Sequence, residues 1–97
     1  MGRLTQSLRA ATGLVMAKKV LIVKMMRGFP SSQSQITEGN IEAYVSAVAE
    51  CSLDAVTRSV GQFLSGKVEG HNNAYMPTAA ELASNARQWD YAIGVAS

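Results

Sequence analysis

The sequence predicts an all-α fold, a small bundle of four to five short helices. Two observations support this fold class. Apolar residues recur at i, i+3, i+4 and i+7 in several segments, which is the spacing of one buried helix face. Three of these segments begin at a serine or threonine that can cap a helix N-terminus. A chain of 97 residues has room for one small domain of this kind.

The first fifteen residues are predicted to form an N-terminal arm or an extra amphipathic helix. Four apolar residues share one helical face there: Leu4, Leu8, Ala11 and Val15. Met16 begins the sequence Met-Ala-Lys-Lys, which is typical of a translation start. We therefore expect residues 1–15 to precede a single helical domain of residues 16–97.

The next segment is residues 16–27. Its central part, from Val20 to Met26, is apolar nearly all round. Periodicity does not separate a buried helix from a buried strand in such a short run. The β-branched residues favour a strand, and the two methionines favour a helix. The clear helices downstream favour the helix, with a strand as the alternative. The segment is expected to end at Gly28-Phe29-Pro30, before a polar loop.

The remaining helices have stronger boundary signals. Thr37 is placed to cap the second helix, and Ser52 is placed to cap the third. Gly66 can end the third helix by adopting the left-handed conformation. The fourth helix follows a proline and opens with Thr78-Ala-Ala-Glu81, the pattern of a capping box.

Charge is divided unevenly along the chain. Residues 1–28 contain six basic residues and no acid, whereas the remainder contains three basic and seven acidic residues. This division predicts a basic segment that faces nucleic acid or an acidic protein, with a solvated helix face as the alternative. The candidate contacts in this segment are Lys18, Lys19, Lys24 and Arg27.

The chain lacks the residues that most catalytic and metal sites need. It has one cysteine, Cys51, and one histidine, His71, which is too few ligands for a zinc site. We interpret Cys51 as structural and His71 as a solvated loop residue or a partner contact. The sequence therefore predicts a protein that is not an enzyme and binds no cofactor or metal. With no apolar run long enough for a membrane span, we expect it in the cytoplasm, away from membranes.

Protein binding is the function class that these observations favour. Methionines adapt readily to a partner surface, so Met25, Met26 and Met76 are either core residues or contacts. The junction at Tyr75 and Met76 is a second candidate contact, beside the basic segment and His71. Direct nucleic-acid binding is possible but less favoured, and the oligomeric state is open.

Residues 20–87 also carry an ordered set of motifs. These are Phe29-Pro30, then Ile41 and Tyr44, then Leu53-Asp54-x-Val56-x-x-x-Val60-x-x-Phe63, and finally Tyr75-x-Pro77-Thr78-x-x-Glu81-Leu82. This order resembles that of small phage proteins related to loaders and inhibitors of replicative helicases. The resemblance implies an all-α domain that binds a hexameric replicative helicase and holds the ring open or inactive.

Two other functions stay open at this stage. One is a phage counter-defence inhibitor, similar to anti-CRISPR proteins, that occludes a host defence effector. The other is a small DNA-binding replication accessory protein that uses the basic segment directly.

Overall fold

The computed structural model describes the backbone of residues 2–72 and 74–94, and side chains from residue 13 onward. Four α-helices follow in order: α1 (Gly2–Arg27), α2 (Glu38–Ala47), α3 (Leu53–Leu64) and α4 (Ala79–Ala92). A 3-10 helix, Pro30–Gln35, connects α1 to α2. No strand occurs among the described residues, and the predicted all-α class is confirmed.

Helix α1 differs from the prediction in its length. One continuous helix of 26 residues replaces the predicted boundary near Met16, and the strand alternative for residues 16–27 is wrong. At about 1.5 Å of rise per residue, α1 is roughly 39 Å long. The bundle buries one face of it from Lys18 onward, while Gly13–Met16 are all exposed. The helix therefore extends beyond the elements that it packs against.

The helix boundaries confirm the capping predictions. The Thr37 hydroxyl accepts a hydrogen bond from the backbone N–H of Asn40 at 3.2 Å. Thr78 and Glu81 form the complete capping box, with both reciprocal hydrogen bonds present. Gly66 has a φ of 71°, so it provides the left-handed residue that follows α3. The predicted polar loop of Ser31–Gln35 belongs instead to the 3-10 helix.

The helices pack as a ring rather than in sequence order. Helix α1 packs against α2 and α3, and α4 packs against the same two helices. In this ring α1 lies across from α4, with α2 and α3 between them. The end of α1 lies close to α3, where a Cβ at Gly28 would contact the side chain of Leu64.

The core lies between these four helices. Its largest fully buried side chains are Ile22, Met25, Met26, Val48, Val56, Val60 and Leu82. Met25 and Met26 are both 0 % exposed, so they fill the core and are not part of an adaptable surface. The opposite face of α1 is left uncovered by the bundle.

Candidate protein-binding surface

The uncovered face of α1 presents a row of apolar side chains. Met16, Val20 and Val23 follow one another at i, i+4 and i+7, which places them on one helical face. Met16 is 56 % exposed and Val20 is 65 % exposed, while Val23 is partly buried against the core. Together with Lys19, Lys24 and Arg27 they line a shallow groove. We call these six residues the α1 surface.

Cations surround this apolar row. At about 3.6 residues per turn, Lys19 lies on one side of the row and Lys24 on the other. Arg27 continues the row in the last turn of α1, where basic residues also interact favourably with the helix dipole. The ion pairs within the described part of the chain involve other residues. No acid of this part of the chain therefore neutralises the three cations.

Lys18 points away from the α1 surface and has a structural role. It is only 2 % exposed, and its Nζ donates to the carbonyl oxygens of Val48 at 2.9 Å and Ala49 at 3.1 Å. These carbonyls follow the C-terminal end of α2, where helices leave acceptors unpaired. The prediction that Lys18 contacts a partner is therefore wrong, because its ammonium joins α1 to α2 inside the bundle.

His71 is also a structural residue. Its side chain is 7 % exposed, its Nε2 lies 2.8 Å from the carbonyl oxygen of Tyr75, and its Nδ1 lies 3.2 Å from Oε2 of Glu81. The ring also meets Phe63 edge-on, with the centroids 5.0 Å apart. The prediction of a solvated histidine is wrong, since these contacts attach the loop before α4 to α3 and α4. Contact between His71 and a partner stays a prediction.

The neighbours of the capping carboxylate of Glu81 lower its pKa. The hydrogen bond from the backbone N–H of Thr78 is the main reason that the pKa of Glu81 lies below its ordinary value. The contact with His71 adds to this effect, and partial burial opposes it. Glu81 therefore serves the start of α4 in its ionised form.

Tyr75 and Met76 have different environments. Tyr75 is 62 % exposed, whereas Met76 is partly buried against the core. Neither residue lines the groove on α1. Tyr75 thus stays an accessible candidate contact, and Met76 contributes mainly to packing.

A smaller depression lies where the end of α2 meets α4. Tyr91 is 79 % exposed at its edge, and Cys51 is 5 % exposed at its base. Burial, followed by the charge of Asp90, raises the pKa of the Cys51 thiol. Because the thiolate is the reactive form, this environment supports a structural role for Cys51.

A polar network between α3 and α4 is a feature that the sequence did not predict. Oε1 of Gln62 accepts hydrogen bonds from Nε1 of Trp89 at 2.8 Å and Nδ2 of Asn85 at 2.9 Å. Asn85 also donates to the hydroxyl of the buried Ser59 at 3.0 Å. Spacing within one helix gives no signal for these partners on another helix.

Met16 and Val20 are surface residues that the sequence did not predict. Because the run from Val20 to Met26 is apolar nearly all round, its pattern alone does not separate a buried face from an exposed one. A helical projection of a single continuous α1 separates them, because Val20 lies opposite Lys18 and Met25.

No helix among the described residues is long and apolar enough to cross a bilayer. Within the same residues, no group of three or more His, Cys, Asp or Glu side chains is placed to hold a metal ion. No protein-family model, curated protein or solved structure matches the chain.

Proposed function

We propose that this chain is a non-enzymatic protein-binding domain that acts by stoichiometric docking through the α1 surface. The observation that carries the proposal is the exposure of Val20 and Met16 between cations that have no acidic partner in the described chain. Covering apolar surface stabilises a complex by about 25 cal/mol per Å². A complex in which the partner buries this row and pairs with its flanking cations is stabilised both by apolar burial and by the ion pairs.

The arrangement favours a protein over a nucleic acid. A surface that follows a phosphate backbone presents cations along its length, since each contact displaces counterions. Here the centre of the α1 surface is apolar, and the cations lie at its margins and at one end. Lys18 is buried, so its charge is not accessible to a phosphate. Direct DNA binding is therefore the less favoured function.

The resemblance described above supplies the candidate partner, a hexameric replicative helicase in the bacterial cytoplasm. Docking of this domain on the ring would hold it open or inactive without any chemical step on the part of the domain. A host defence effector is the alternative partner, and it would use the same surface.

Binding to a purified replicative helicase tests this function. We expect the wild-type protein to bind the hexamer and to change its rate of DNA unwinding. Val20→Glu places a charge in the apolar row and should weaken binding at least tenfold. Gln88→Glu adds the same charge at an exposed position of α4, on the opposite side of the bundle, and should leave binding unchanged.

Two results would contradict the proposal. If the wild-type protein neither binds the hexamer nor alters unwinding, the helicase is not its partner. If Val20→Glu and Gln88→Glu weaken binding equally, the contact does not involve the α1 surface.

A further inference from the structure

The α1 surface has the dimensions of a helix-docking site. Its row runs from Met16 to Arg27, about 16 Å along the helix axis at ~1.5 Å per residue, or three turns. Neighbouring side chains at i, i+4 and i+7 form a ridge with grooves beside it, and a second helix packs its own ridge into such grooves. The apolar face of an amphipathic helix supplies a matching ridge.

The charges define the sides of that second helix. Lys19 and Lys24 lie on opposite sides of the apolar row, in the same way that charged residues flank the seam between two paired helices. Acidic residues on both flanks of the partner helix would pair with them, whereas basic residues would be repelled. Arg27 selects for a further acidic residue at the end of the row.

We propose that the occupant of the α1 surface is an acidic amphipathic helix of about three turns, belonging to a partner protein. This inference rests on the proposed function, because it names the chemistry of the segment that docks. A second copy of this chain is a poor occupant when it pairs through the same surface. Residues 1–28 contain six basic residues and no acid, so two such surfaces would oppose cation to cation.

Two synthetic peptides test the inference. Both peptides have about 18 residues, which is long enough to populate a helix, and both carry the same row of leucines. One peptide has glutamates on either side of this row, and the other has lysines at the same positions. Fluorescence anisotropy measures their affinity for the full chain at low and at moderate salt. We expect the acidic peptide to bind at least tenfold more tightly than the basic one, by a margin that shrinks as salt screens the charges.

Variants of the protein locate the contact. Val20→Glu should abolish binding of the acidic peptide, and Gln88→Glu should leave it unchanged. The triple variant Lys19→Glu, Lys24→Glu and Arg27→Glu should invert the preference, so that the basic peptide binds more tightly. Circular dichroism checks that each variant keeps the wild-type helix content.

Several outcomes would overturn the inference. They are equal binding of the two peptides, no binding of the acidic peptide, or tighter binding to vesicles of anionic phospholipid or to duplex DNA than to the acidic peptide. A wild-type dimer in sedimentation that Val20→Glu dissociates would instead identify a second copy as the occupant. Helicase binding without peptide binding would refute this inference alone, and peptide binding without helicase binding would refute only the helicase as partner.

Discussion

The carboxylate of Asp90 on α4 binds the N-cap residue of α3, Ser52. Its Oδ1 accepts a hydrogen bond from the Ser52 hydroxyl at 2.6 Å, and its Oδ2 accepts one from the Ser52 backbone N–H at 3.1 Å. The same hydroxyl accepts from the backbone N–H of Ala55, so it caps α3 while it donates to α4. One buried acid therefore fixes the start of one helix against the side of another.

Replacing Asp90 with alanine should destabilise the fold. The half-buried donors of Ser52 would lose their partner, which costs about 1–3 kcal/mol in the free energy of unfolding. For a domain of this size, each 1 kcal/mol lowers the melting temperature by roughly 4–8 °C. Thermal unfolding measures the change, with Ser84→Ala at an exposed position of α4 as the control. Equal melting temperatures for the two variants would show that the contact contributes nothing.

Removing the charge of Lys18 should lower the free energy of unfolding much more than removing the charge of the adjacent Lys19. Lys18→Met deletes the donor to the carbonyl oxygens of Val48 and Ala49, and hydrogen bonds from charged groups contribute about 1.5–3 kcal/mol. Lys19→Met removes a charge that has no acidic partner in the described chain and should change stability by less than about 0.5 kcal/mol. Denaturant unfolding compares the two. A larger loss from Lys19→Met would contradict the assignment of the two faces of α1.

Methionines on the two faces of α1 provide a second matched pair. Met25 is 0 % exposed, so Met25→Ala should leave a cavity and cost about 2–5 kcal/mol. Met16 is 56 % exposed, and Met16→Ala should lie within about 0.5 kcal/mol of the wild-type value. Urea unfolding measures the free energy of unfolding of each variant. Similar losses of stability at both positions would mean that Met25 and Met16 do not lie on a buried and an exposed face of α1.

The capping box should weaken in acid. Because the hydrogen bond from the Thr78 N–H lowers the pKa of Glu81 in the folded protein, its ionised form stabilises the fold above the ordinary glutamate pKa of about 4.5. That contribution is lost as the pH falls through the lower, folded pKa. Glu81→Gln keeps a capping side chain without the titration. The melting-temperature difference between wild type and Glu81→Gln should therefore shrink from about pH 6 to pH 3, and a constant difference would exclude this linkage.

Local signals in the sequence predicted correctly where α2, α3 and α4 begin, but not the extent of α1. Thr37, Ser52 and Thr78 begin the predicted helices because a cap needs only a side chain and the backbone three residues further on. The buried positions Val56 and Val60 also follow from periodicity within α3 alone. These features depend on residues that are close in the sequence.

Contacts between distant segments could not be predicted in this way. Lys18 reaches carbonyls 30 and 31 residues away, and its charge alone suggested a surface position. The same holds for His71, whose polar neighbours in a glycine- and asparagine-containing loop indicated solvent rather than the contacts with Phe63 and Glu81. Of the seven predicted contact residues, Lys19, Lys24, Arg27 and Tyr75 stay accessible to a partner.

Photo-crosslinking from position 20 shows whether the α1 surface contacts a partner protein. A benzophenone amino acid at position 20, and at position 88 as the control, is irradiated in a bacterial lysate with and without excess acidic peptide. We expect one protein adduct from position 20, absent from position 88 and suppressed by the peptide, with mass spectrometry identifying the replicative helicase. No adduct from position 20, or the same adducts from both positions, would contradict this contact.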